Sequence, residues 1–322
     1  MTTDAAIGLE RYLAARRAEV ESALAEYLPA PPHTPPVLAD AMRYSLLAGG
    51  KRLRPLLTLA AAEAAGGPAA RPLAMPAACA IEMIHTSSLV HDDLPAMDDD
   101  TLRRGRPTLH VVSGDGMAIL AGDGLQAAAF RLLAREPASN EPQIAVRKLR
   151  VLELIAEAAG PAGMVGGQAI DLGAGGAFDA KLPTVTTSRS KPAAPFTVHD
   201  LEHMHACKTG ALIRASAVAG ALIVGADESI VTVIDRYASD IGLAFQIVDD
   251  VLDVDAASDA LGKTAGKDAA AGKPTYPALF GLARSRELAA ECLERAEATL
   301  ASVGLEGSHL AGIARWVVTR RS

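Results

Sequence analysis

The feature that most constrains this chain is a recurrence of apolar residues at intervals of three and four, broken only by short segments rich in Gly and Pro. It predicts helices near 4–27, 36–48, 52–65, 72–94, 113–135, 144–159, 161–173, 198–224, 227–255, 275–303 and 308–320. No stretch keeps the two-residue alternation of a half-buried strand. Ala, Leu and Glu abound while aromatics make up 3% of the 322 residues, a balance that favours packed helices over sheets. The breaks GGP at 66–68, RRGRPT at 103–108, REPASNEP at 135–142 and SVGLEG at 302–307 read as connections within one all-α bundle.

One segment differs. Residues 179–197 combine Pro, Ser and Thr with few apolar anchors, which predicts a long flexible loop. Because chemistry-bearing motifs fall on both sides of it, residues 1–322 are expected to form a single domain. The net charge is −7 and the basic residues are scattered, so neither a nucleic-acid footprint nor a polybasic membrane anchor is expected. The first twenty residues lack the apolar core of a signal peptide, and no transmembrane segment is expected, which leads to a cytoplasmic location. Cys79, Cys207 and Cys292 are odd in number and far apart, which fits buried thiols better than disulfides or a zinc site.

Two acidic clusters stand out, DDLPAMD at 92–98 and DDVLD at 249–253. In the second, Asp249 and Asp253 stand one helical turn apart, with Asp250 three residues before Asp253, so carboxylates crowd one face of an otherwise apolar helix. Such charge is costly unless offset, and a hard divalent cation in an all-oxygen site, magnesium above all, would offset it. In the first cluster, the six-residue spacing of Asp92 and Asp98 would put them on different faces of a continuous helix. Pro95 disfavours helix at Leu94, so the chain is expected to bulge there and bring Asp98 back toward Asp92.

A metal held by one or two carboxylates commonly takes its other ligands from substrate phosphates, which then need cations from the protein. Those occur in four groups: Lys51, Arg52 and Arg54; Arg103 and Arg104; Lys208; and Lys263, Lys267 and Lys273. Each follows or contains Gly, which lets backbone approach an anion closely. His199, His203 and His205 lack further ligands at zinc spacing and read as polar residues at a helix start.

In this order, GGKRLRP, HDDLPAMDDDTLRRGRPTLH, GMVGGQAIDL, KTG, FQIVDDVLDV, LGKTAGKD and GKPTYPAL resemble the motifs of short-chain trans-polyprenyl diphosphate synthases of the farnesyl and geranylgeranyl type, from about residue 40 to 285. The resemblance implies an isoprenoid-synthase helical bundle around a deep central apolar cavity, a homodimer, and two substrates, isopentenyl diphosphate and an allylic diphosphate (dimethylallyl, geranyl or farnesyl). It implies three Mg2+ ions held by Asp92, Asp93, Asp98, Asp249, Asp250 and Asp253. Arg103, Lys208, Thr209, Gln246, Lys263 and Lys273 would bind the allylic diphosphate. Lys51, Arg54, His85 and Arg104 would bind isopentenyl diphosphate, and Gln168 and Asp171 would line the pocket. Whether Arg320 or Arg321 closes over the second diphosphate stays open.

Ser88 and Ser87 lie four and five residues before Asp92, roughly 6–7.5 Å deeper along a helix, where they would form the floor under the growing tail. Two serines in place of a bulky aromatic leave room for geranylgeranyl diphosphate, with Met83 and Ile84 as a lower floor; farnesyl diphosphate is the alternative product. A class I terpene cyclase would share the fold but need no second diphosphate pocket, and a non-catalytic subunit would have lost aspartates that are present here. A di-iron bundle would require Glu and Glu-x-x-His ligands arranged on four helices, an arrangement not expected here.

Overall fold

The computed structural model describes residues 3–174, 197–259 and 275–320. Its helices are α1 (Thr3–Tyr27), α2 (Pro36–Leu46), α3 (Leu53–Gly66), α4 (Arg71–Asp92), α5 (Leu109–Ser113), α6 (Asp115–Arg135), α7 (Pro142–Ala159), α8 (Met164–Ala174), α9 (Val198–His205), α10 (Ala211–Val224), α11 (Glu228–Asp259), α12 (Tyr276–Phe280), α13 (Leu282–Ala301) and α14 (His309–Thr319). The fold is an all-α bundle, as the periodicity predicts. All of the 179–197 segment except Thr197 lies outside the described residues.

The centre is α10, whose residues from Leu212 to Ile223 are almost all buried, as befits a helix apolar on every side. It packs against α3, α11, α7 and α4, while α4 also packs against α3 and α6. Close approach of α10 to α3 depends on Gly220, where a Cβ would collide with the Thr58 carbonyl. On the outside, α13 covers α11, and the Tyr237 hydroxyl of α11 donates to the Leu310 carbonyl of α14 at 2.7 Å.

Gly281, at φ 77°, takes up a left-handed corner that breaks the helix expected over 275–303 into α12 and α13, while Gly114, at φ 80°, separates α6 from α5, a short helix that was not expected. Between α9 and α10 the chain widens into a π turn over Ala206–Gly210. The RRGRPT break contains a short antiparallel ribbon pairing Leu102–Arg103 with Arg106–Pro107, against the expectation of no strand. Its corner residues Arg104 and Gly105 both have positive φ, 54° and 74°, which is what a two-residue hairpin loop that follows the strand twist requires.

The expectation that no stretch is apolar enough to span a membrane is also corrected. Pro68–Asp92, Asp115–Arg135 and Val198–Val224 qualify by length and composition. The first and third are mostly buried in the bundle, so their apolarity is that of Ala-rich core helices; Asp115–Arg135 keeps the larger exposed share.

Candidate active site

Helix α4 ends at Asp92, and the chain then curls as Pro95 predicts. The Asp98 N–H donates to the Asp92 carbonyl at 2.9 Å and the Asp100 N–H to the Asp93 carbonyl at 3.2 Å, so Asp98 is folded back over the helix end. Asp92 and Asp93 are buried while Asp98 is exposed. From the ribbon that follows, Arg103 reaches back to Asp93 through Nε at 2.7 Å and Nη2 at 2.6 Å.

On α11, Asp250 is buried and receives the Tyr276 N–H at 3.0 Å and the Gln246 amide at 3.1 Å. Asp249 meets Arg320 of the chain end at 2.5 Å. The same guanidinium donates to the Phe245 carbonyl at 3.1 Å and lies 4.0 Å from the centre of the Phe245 ring. Arg320 thus reaches the cleft, while Arg321 lies outside the described residues.

Helix α8 and the π turn face the first cluster. Gln168 donates to Asp92, and Lys208 pairs with Asp171 at 2.5 Å. Gly167 makes this possible, since a Cβ there would strike the backbone of Lys208. The wide turn departs from α-helical hydrogen bonding at ACKTG, a common device where a helix serves a site.

Between these parts runs a cleft lined by Lys51, Arg54, His85, Arg103, Arg104, Thr209, Gln246, Asp249 and Arg320, together with Arg17 and Glu82, which the sequence did not single out. It brings together residues from four separate motifs. Lys263 and Lys273 lie outside the described residues. The glycines of GGKRLRP make room for a neighbouring side chain. Gly49 and Gly50 have φ 80° and 131°, and a Cβ on Gly50 would stand 2.6 Å from the Arg104 guanidinium carbon, so they admit a protein cation. Arg104 donates to the Gly49 carbonyl.

Burial raises the Asp92 carboxyl to about 6; Lys208 opposes this, while Asp98 and Asp93 add to it. Burial also pushes up Asp93 and Asp249 against the pull of Arg103 and Arg320. His85 is held well below its usual value by burial and then by Arg54, Arg104, Arg103 and Arg52, so it is neutral in the cleft. Burial lowers Arg54 to about 10, and its Nε has no hydrogen-bond partner among the described residues. A cleft with unspent cations on one wall and carboxylates holding protons too tightly on the other can accept an anion together with hard cations. Among the described residues, no three acidic, histidine or cysteine side chains converge enough to hold a metal alone. That donor set fits magnesium whose coordination is completed by phosphate oxygens, rather than an all-protein cage.

Below Asp92, the helical turn puts Ser88 about 40° from the Asp92 direction, Ile84 about 80°, Ser87 about 140° and Met83 about 180° away, on the opposite side. Ser87 and Ser88 donate to the Ile84 and His85 carbonyls at 2.8 and 2.9 Å. Facing α4, helix α6 buries the small residues Ala118, Ala121 and Gly122.

Residues 35–303 match the model of a family described as polyprenyl synthetase. The chain is 44% identical over 316 residues to a farnesyl diphosphate synthase of Geobacillus stearothermophilus, covering 98% of this chain and 99% of that one. It is 42% identical over 311 residues to a geranylgeranyl diphosphate synthase of Cyanophora paradoxa, covering 97% and 96%. A crystal structure of an FPP/GFPP synthase from Zymomonas mobilis superposes with a TM-score of 0.80 at 37% identity, covering 98% of this chain and all of that one.

Proposed function

Given that this chain belongs to the polyprenyl synthetase family and is a prenyl diphosphate synthase, we propose that it joins an allylic diphosphate to isopentenyl diphosphate and that its main product is geranylgeranyl diphosphate. One observation carries the two-substrate reading: Lys51, Arg54, His85 and Arg104 line the same cleft as Thr209, Gln246 and Asp249. Two diphosphates can then lie side by side, the first against Arg103, Lys208, Thr209 and Gln246, the second against Lys51, Arg54, His85 and Arg104. Lys263 and Lys273 complete the first set.

Asp92, Asp93, Asp98, Asp249, Asp250 and Asp253 would hold Mg2+, which when bound offsets charge on the departing diphosphate. Arg103 and Lys208 oppose that same charge where it develops as the allylic carbon–oxygen bond breaks. Gln168 and Asp171 orient Asp92 and Lys208 beforehand, so this costs little rearrangement during reaction. Neutral His85 donates a hydrogen bond without adding charge, and Lys51 and Arg54 place the second substrate's double bond against the cation. No side chain of this cleft is required as general base, because the released pyrophosphate is near enough to take the proton lost after bond formation.

Small residues at Ser87 and Ser88, together with the buried Ala118, Ala121 and Gly122 of the helix packed on α4, support the longer product; farnesyl diphosphate remains the second reading. Sizing dephosphorylated products made from isopentenyl diphosphate and each allylic primer tests this. A twenty-carbon main product is expected, and a predominantly fifteen-carbon one would overturn it. Within the same reading the chain works as one cytoplasmic domain and as a homodimer. Exposed Val111, Val112, Ile119 and Leu120 along α5 and α6 supply an apolar face for the second copy.

A further inference from the structure

Glu82 is the one acidic residue that α4 contributes to the cleft, and no step above uses it. It stands ten residues before Asp92, about 15 Å deeper, on the face that also carries His85 and Leu89. Its carboxylate is buried and accepts from Arg52 Nη1 at 2.6 Å.

Arg52 is held at two further points: Nε donates to Glu21 of α1 at 2.7 Å and Nη2 to the Leu46 carbonyl at 2.6 Å. Its side chain is fully buried and each nitrogen is committed, so although Arg52 belongs to the cleft wall its guanidinium is already engaged by protein groups. Its neighbours differ. Lys51 and Arg54, on either side of it in GGKRLRP, line the cleft, and the buried Arg54 Nε has no hydrogen-bond partner among the described residues. Arg52 also has φ 53°, a left-handed backbone that a residue with a Cβ adopts at a cost and keeps only where its surroundings hold it. That corner is where the chain turns into α3, so it sets the directions of the residues before and after it.

We infer that Glu82 is a positioning residue for the isopentenyl diphosphate half of the cleft. By clamping Arg52 it fixes the left-handed corner that turns Lys51 and Arg54 toward one anion. It is also the leading counter-charge acting on both Arg54 and Arg104, so it keeps a crowded cationic wall from repelling itself open. The inference rests on the proposed assignment of Lys51, Arg54 and Arg104 to the second substrate.

Steady-state kinetics of Glu82→Gln, Arg52→Lys and the double variant, with each substrate varied in turn, test it; Glu82→Asp and thermal melts guard against a folding defect. Expected is a rise of about tenfold or more in KM for isopentenyl diphosphate, with KM for the allylic substrate and kcat changed less than about threefold. The double variant should be no worse than the poorer single one, because both break the same clamp, and Glu82→Asp should recover part of the loss. Equal changes in both KM values, a fall in kcat alone, or additive losses in the double variant would overturn the inference. The wild-type reaction is read first in the same assay. Failure to consume isopentenyl diphosphate would overturn the two-substrate assignment along with the inference, whereas normal consumption with unaltered variants would overturn the inference alone.

Discussion

Replacing Asp92 by Asn is expected to lower kcat by at least about 10²–10³-fold while making the metal-free protein more stable. The two effects have one cause. Asp92 is buried at the end of α4 beside Asp93 and Asp98, and its carboxyl is raised from 3.8 to about 6. A carboxyl with a folded-state pKa above its unfolded value binds its proton more tightly in the native protein, so stability falls as pH rises between those two values and stays low above the higher one. At pH 7.5 the wild type therefore carries a strain that a neutral amide does not, on the order of 1–3 kcal/mol. The Asn oxygen can still accept from Gln168. A higher melting temperature of the variant at pH 7.5, shrinking toward zero below about pH 4, together with lost turnover, is the expected pattern. Wild-type turnover, or an unchanged or lower melting temperature at pH 7.5, would contradict the account of a cluster built for cations.

The second large effect concerns length. Ser87→Phe is expected to shorten the main product by one isoprene unit, and Ser88→Phe to do so at least as completely, because Ser88 lies nearer the Asp92 direction. A phenyl ring in place of a hydroxymethyl group fills the space that a longer tail would need. Ser87 is buried, so its replacement also overpacks the bundle at a cost of about 1–3 kcal/mol, and the melting temperature should be measured alongside. Product sizing decides the matter: an unchanged chain length in both folded variants would put the floor elsewhere.

Much of the helical bundle was legible in the sequence because a buried face repeats every three or four residues, a repeat that survives in α6, α7 and α13, while α3, α4 and α10 are buried over long continuous runs. The bend after Asp92 was legible for a local reason, the effect of Pro95 on Leu94. The break at Gly281 was not, since an isolated glycine inside a periodic run is tolerated as often as it ends a helix. Nor was the π turn at ACKTG, which adds a residue to a turn without disturbing the apolar pattern enough to be seen. In the site, sequence alone could not divide labour within GGKRLRP. Arg52 and Arg54 carry the same charge two residues apart and both belong to the cleft wall, and only the positions of Glu82 and Glu21 decide that the Arg52 guanidinium is clamped by protein carboxylates. Arg17 and Arg320 reach the cleft from the two ends of the chain, a meeting that depends on how α1 and α14 pack rather than on any motif.

The central claim is that two diphosphates react in one cleft, and the most direct test is the stoichiometry of a single assay with magnesium, geranyl diphosphate and labelled isopentenyl diphosphate. Each isopentenyl diphosphate incorporated into product should release one pyrophosphate, and omission of isopentenyl diphosphate should abolish the release. Pyrophosphate released from the allylic substrate alone, with no incorporation of isopentenyl diphosphate, would contradict the claim and point to a cyclase.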